Sequence, residues 1–143
     1  IKNLINLTDK FVDLGVPRNH IFPVGHSGGA TVIIEAIYKN PEKINAVIAT
    51  SWTVAGKKPL NDLEIAKMKR FKARYKKHKY PLNAIIYACD RDEFTSYREQ
   101  IFWNDIKGVE FVKLLGNHNC WFNLFQKKEE IKRIINFIKL NIS

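Results

Sequence analysis

Apolar positions along the chain alternate between two spacings. Leu4, Leu7, Phe11 and Leu14 recur at helical spacing, and Gly15-Val16-Pro17 predicts the end of that helix. His20-Ile21-Phe22-Pro23-Val24 then reads as a short apolar strand running straight into Gly25. From Gly28 to Asn40 the helical period returns, with Ala30, Ile33, Ile34 and Ile37 on one face and Pro41 as the stop. Ile44 to Thr50 is almost continuously apolar, as parallel strands covered on both faces tend to be. A loop holding Trp52, Gly56 and Pro59 separates it from a basic helix over about Asn61 to Lys77. Leu82 to Cys89 predicts a third strand, the turn Asp90-Arg91-Asp92-Glu93 follows, and a helix is expected around Ser96 to Asp105. Val109 to Leu115 predicts a fourth strand. The loop Gly116 to Trp121 leads into a closing helix, about Lys127 to Leu140, with Ile131, Ile134, Ile135 and Ile138 facing inward.

Strands joined by helical crossovers form a parallel sheet with helices on both faces. The expected class is therefore α/β, a three-layer sandwich. No repeat, linker or low-complexity tract interrupts the pattern, so residues 1–143 read as one domain. Active sites in such sheets lie at the carboxyl ends of the strands, which directs attention to the loops after each one.

Composition adds limits. With 143 residues and 45% hydrophobic content the chain can bury a core. No run of 18 apolar residues occurs, so no membrane-spanning segment is expected. The opening IKNLINLTDKF lacks the basic-then-apolar order of a signal peptide, a lean toward the cytoplasm, although the chain begins at Ile1 and not Met. Much of the net charge of +10 falls in Lys67 to Lys79 (KMKRFKARYKKHK). Such a stretch suits an anionic partner; the plainer alternative is a solvated helix face. No module with aromatic or arginine readout residues accompanies it, so no nucleic-acid partner is expected. Cys89 and Cys120 are too few for a disulfide framework and lack metal-ligand spacing. They are expected as buried fillers, with a bond between their two loops left open.

The chemistry-bearing motif is Gly25-His26-Ser27-Gly28-Gly29 at the end of the first strand, with a helix following at once. This fits G-x-S-x-G in the strand-to-helix context of a nucleophile elbow. A sharp turn lifts the Ser27 hydroxyl clear of the sheet, and Gly25 and Gly29 are expected to leave room for it. The helix N-terminus favours a developing negative charge, and the Gly28 N–H is the candidate oxyanion donor. The alternative is a glycine-rich turn without chemistry. What separates the two is whether a base and an orienting acid exist. Asp90 and Asp92 follow the third strand and His118 follows the fourth, all at the same sheet edge as Ser27.

The combination GHSGG, IIYACDRDEF and VKLLGNHNCWF resembles the α/β-hydrolase superfamily in its esterase, lipase and peptidase-like branches. The order Ser, Asp, His is the one that superfamily uses. The resemblance covers essentially the whole chain and implies a partial α/β-hydrolase fold. It also implies a serine hydrolase acting on a small acyl substrate, a carboxylic ester by default, with no metal or organic cofactor. Aligning Cys89 with the glycine of the family's G-x-x-D segment places the acid at Asp92, with Asp90 as the alternative and Glu93 after it. The base matches His118. His20 reads as structural, His26 as packing beside the site, and His78 as solvated. Trp52 and Trp121, together with His26, are candidate substrate-binding residues, Trp52 and Trp121 as an aromatic wall; ordinary packing is the alternative for both tryptophans, and is favoured for Phe94 and Phe122.

The sequence departs from the family at its start. Complete members carry further strands ahead of the elbow strand, including a His-Gly-type loop that supplies a second oxyanion donor. Here the elbow strand is the first. The chain is therefore expected to be the C-terminal portion of such a domain, with an open sheet edge available for pairing with another chain. A second reading keeps the fold without catalysis and uses the basic helix 67–79 on an anionic partner.

Overall fold

The computed structural model describes residues 1–54 and 56–142. Four strands, β1 (Val24–His26), β2 (Val47–Thr50), β3 (Ala84–Cys89) and β4 (Val109–Leu114), lie in chain order in one sheet. Every neighbouring pair is parallel. The helices are α1 (Lys2–Asp13), α2 (Gly28–Lys39), α3 (Asp62–Lys76), α4 (Tyr97–Gln100) and α5 (Lys128–Ile142).

The continuously apolar central strands are explained by two separate cores, one on each face. Val47, Ala49, Ala84 and Ile86 pack under α2 and α3 with Ile34, Ile37, Trp52, Tyr75 and Trp103. The intervening residues Ile48, Ile85 and Tyr87 point the other way, toward Leu124 and Phe137. The two-residue period of a strand thus feeds both layers, giving the expected three-layer α/β arrangement.

Several boundaries differ from the sequence expectation. The first strand begins at Val24 and not at His20, because residues 18–20 form a 3-10 turn. Pro23 has no N–H to give the ladder, so pairing starts with its carbonyl, which accepts from Ile48 N–H at 3.0 Å. The helix expected over 96–105 is only one α turn. A capping box between Ser96 and Glu99 opens it, and a 3-10 segment over 101–105 then buries Phe102 and Trp103. In α5, Ile134 and Ile138 pack on the sheet around buried Phe137, whereas Ile131 and Ile135 face solvent. The inward face of α5 is therefore narrower than the sequence pattern suggests.

Helix α1 ends as predicted. Gly15 takes φ +91°, its N–H bonds the Val12 carbonyl, and Val16 N–H bonds the Phe11 carbonyl, a Schellman closure that needs a left-handed residue. Of its apolar stripe only Leu4, with Ile5, packs on the core; Leu7, Phe11 and Leu14 are exposed.

Strand β1 pairs with β2 on one side only, and Val24 is 66% exposed. Beside it lies a largely apolar cavity of about 470 Å³ lined by Phe22, Val24, Ile48, Leu124, Ile134 and Ile138, among others. Among the described residues no helix is long and apolar enough to cross a membrane.

Cys89 and Cys120, expected as buried fillers with a bond between them left open, are buried and joined by a disulfide. The bond ties the end of β3 to the 3-10 segment (120–126) after β4.

Candidate active site

The site is built where β1 hands over to α2. Ser27 stands between them with φ +54° and ψ −123°, a conformation that a non-glycine residue holds only when its surroundings enforce it. Two backbone bonds do so here. Ser27 N–H donates to the Thr50 carbonyl at 3.0 Å, and the Ser27 carbonyl accepts from Thr31 N–H at 3.3 Å. The turn is tight enough that a methyl group on Gly25 would lie 2.6 Å from the Gly29 carbonyl oxygen. At Gly29 itself a methyl group would meet nothing within 4 Å. The glycine requirement therefore falls on Gly25, not on both. Gly25→Ala is expected to destabilise the protein by about 2 kcal/mol or more, whereas Gly29→Ala should stay within about 1 kcal/mol of the parent. Urea-unfolding midpoints check the pair, and equal losses at both positions would contradict this account of the turn.

His118, on the loop after β4, brings Nε2 to 2.8 Å from Ser27 Oγ. Its Nδ1 lies 2.9 and 3.0 Å from the two Asp92 oxygens. Asp92 is 3% exposed and its Oδ1 also accepts from Phe94 N–H at 2.8 Å and Thr95 N–H at 3.2 Å. A carboxylate fixed by two amides presents its remaining acceptor capacity in one direction, toward the imidazole. Asp90 is placed differently. It accepts from Gly116 N–H at 2.7 Å, which holds its carboxyl below the ordinary carboxylate range, and it makes no bond to His118. Glu93 reaches only the His118 backbone N–H, at 3.4 Å. The structure thus brings together Ser27, His118 and Asp92, and sets Asp90 to hold the loop that carries His118.

Gly28 is the first residue of α2. Amides of a first helical turn have no partner inside the helix, so the Gly28 N–H is available near Ser27 Oγ. His26 lies with its ring centroid 4.9 Å from that of His118, and its Nδ1 is 3.0 Å from Thr50 Oγ1. Burial, and then the nearby His118 charge, push the His26 pKa down. Trp121 sits 5.7 Å from the His26 ring and stacks on Phe122 at 4.0 Å, at the edge of the apolar cavity. Trp52, expected at the mouth, is instead wholly buried; it meets Trp103 edge-on at 5.3 Å and Phe102 at 5.8 Å. Left-handed Ser51 (φ +50°) precedes it, at the point where the chain leaves β2.

Phe94, for which packing was the favoured expectation, packs its ring on the His118 imidazole, with centroids 4.4 Å apart.

The basic helix uses part of its charge internally. Arg74 pairs with buried Glu35, Lys76 with Asp105 at 3.0 Å, and Lys72 lies 5.4 Å over the Phe102 ring.

No protein-family model matches the sequence, and no curated protein matches it. Solved structures do match in shape. A Paleococcus ferrophilus monoacylglycerol lipase aligns at TM-score 0.62 and 15% identity, over 99% of this chain and 74% of that one. An α/β superfamily hydrolase from Oenococcus oeni aligns at TM-score 0.61 and 13% identity, over 96% and 74%. The Pyrococcus furiosus esterase Pf2001 aligns at TM-score 0.61 and 19% identity, over 86% and 54%. The fold is that of the α/β hydrolases, present in part. The chain spans between about half and three quarters of the length of these structures.

Proposed function

We propose that the protein is a serine hydrolase that cleaves a carboxylic ester through an acyl-enzyme. The observation that carries this reading is the unbroken line from Ser27 Oγ through His118 to buried Asp92, at 2.8 and 2.9 Å, on a left-handed strand-to-helix turn. Ester chemistry is supported by similarity in fold to proteins described as a lipase and an esterase.

In this mechanism Ser27 Oγ attacks the carbonyl carbon while its proton passes to His118 Nε2. Asp92, accepting from Nδ1–H, fixes the tautomer and offsets the imidazolium charge. The carbonyl oxygen becomes an oxyanion beside the Gly28 N–H, a contact of a kind that supplies about 3 kcal/mol of barrier lowering. Collapse breaks the C–O bond, and the departing alcohol takes the proton from Nε2. Water then repeats the sequence on the acyl-serine, releasing the acid and restoring Ser27.

The test is labelling of the intact protein with a fluorophosphonate probe. A single adduct on Ser27 is expected, absent from Ser27→Ala. No label on the parent, or equal label on Ser27→Ala, overturns the reading.

A further inference from the structure

The end of β2 touches the nucleophile and the base at once. The Thr50 carbonyl accepts the Ser27 N–H at 3.0 Å. The next residue, Ser51, is fully buried, and its Oγ donates to the His118 backbone carbonyl at 2.7 Å. Ser51 is itself held in place: it takes φ +50°, and its N–H bonds the Tyr87 carbonyl of β3 at 2.9 Å. Cys89 Sγ lies 3.1 Å from Ser51 Oγ and 3.6 Å from the same His118 carbonyl. In the disulfide that sulfur carries no proton, so the hydroxyl of Ser51 is the donor and the sulfur is packing. Two consecutive residues therefore span the gap between Ser27 and His118.

We infer that Ser51 is a positioning residue that sets the distance between base and nucleophile. This rests on the assignment of His118 as base of a serine hydrolase. The chemistry needs a proton to cross 2.8 Å from Ser27 Oγ to Nε2, and transfer of this kind tolerates little displacement. The imidazole is steered from behind by Asp92, but a ring pivoting on Nδ1 can still swing away from Ser27. Anchoring the backbone of the same residue removes that freedom. Without the Ser51 proton the His118 carbonyl is left buried and unpartnered, so the loop shifts to find another donor.

Ser51→Gly separates this role from a merely structural one, because glycine occupies φ +50° without strain and removes only the hydroxymethyl group. In the intact protein, with p-nitrophenyl acetate as probe, kcat is expected to fall by about 10- to 100-fold with KM changed less than about twofold. The folded fraction at assay temperature should remain that of the parent. Ser51→Ala, which keeps the backbone preference of the parent, is expected to match it. In both variants the downfield imidazole N–H resonance that disappears in His118→Ala should shift or broaden. A parent-like kcat in folded Ser51→Gly or Ser51→Ala overturns the inference, as does a loss confined to KM or an unmoved resonance. A parent protein that takes no fluorophosphonate on Ser27 sinks the hydrolase reading instead, so the two failures are distinguishable.

Discussion

Replacing His118 with alanine is expected to lower kcat/KM for ester hydrolysis by about four to six orders of magnitude. The size follows from its two roles in the proposed mechanism, since one imidazole both removes the Ser27 proton and returns a proton to the leaving alcohol. No other histidine can take over. His26 is near, with ring centroids 4.9 Å apart, but its Nδ1 faces Thr50 Oγ1, and it is His118 whose Nε2 lies 2.8 Å from Ser27 Oγ. His26→Ala should therefore cost less than about tenfold, as the loss of a packing neighbour and not of a proton carrier. Steady-state kinetics with p-nitrophenyl acetate on both variants check the pair. A His26 loss as large as that of His118 would contradict the assignment of His118 as the base.

Asp92→Asn is expected to reduce kcat by about 10³- to 10⁴-fold with little change in KM, because an amide in place of the carboxylate favours the wrong imidazole tautomer. Asp90→Asn keeps an oxygen that can accept from Gly116 N–H, so its loss should stay within about tenfold. The contrast is informative because the two residues are separated by a single position and have equivalent chemistry. Comparable losses in the two variants would mean that the carboxyl behind His118 orders the loop and does nothing further.

The class of fold and the order Ser27, Asp92, His118 were legible because each rests on a local signature. A strand that stops at glycine and restarts as a helix leaves its mark in five residues, and parallel strands buried on both faces leave apolar runs at Ile44 to Thr50 and Leu82 to Cys89. The choice between Asp90 and Asp92 was narrowed by the family resemblance but not closed. In the structure it is Asp92 that lies against His118 Nδ1, with its carboxyl held by the Phe94 and Thr95 amides. The fate of Trp52 was hidden for a similar reason. Nothing in its neighbours announces that Ser51 adopts a left-handed conformation, after which the indole lies in the core and not at the rim. Ser51 itself carried no motif, and its contact with His118 spans 67 positions. The pairing of Cys89 with Cys120 spans 31 and depends on β3 and β4 lying side by side. The outward turn of Ile131 and Ile135 is likewise set by what α5 rests on, which helical periodicity alone does not record.

The disulfide also divides the candidate site by covalent connection. Asp92 and His118 both lie inside the covalent ring closed by Cys89 and Cys120, while Ser27 lies outside it. Closing a ring with a sequence separation of 31 removes unfolded-chain entropy equivalent to about 3 to 4 kcal/mol, which favours the folded chain as a whole. Ser27 has no covalent tie of that kind and is held by its place ahead of α2, whose Ala30, Ile33, Ile34 and Ile37 are buried in the core.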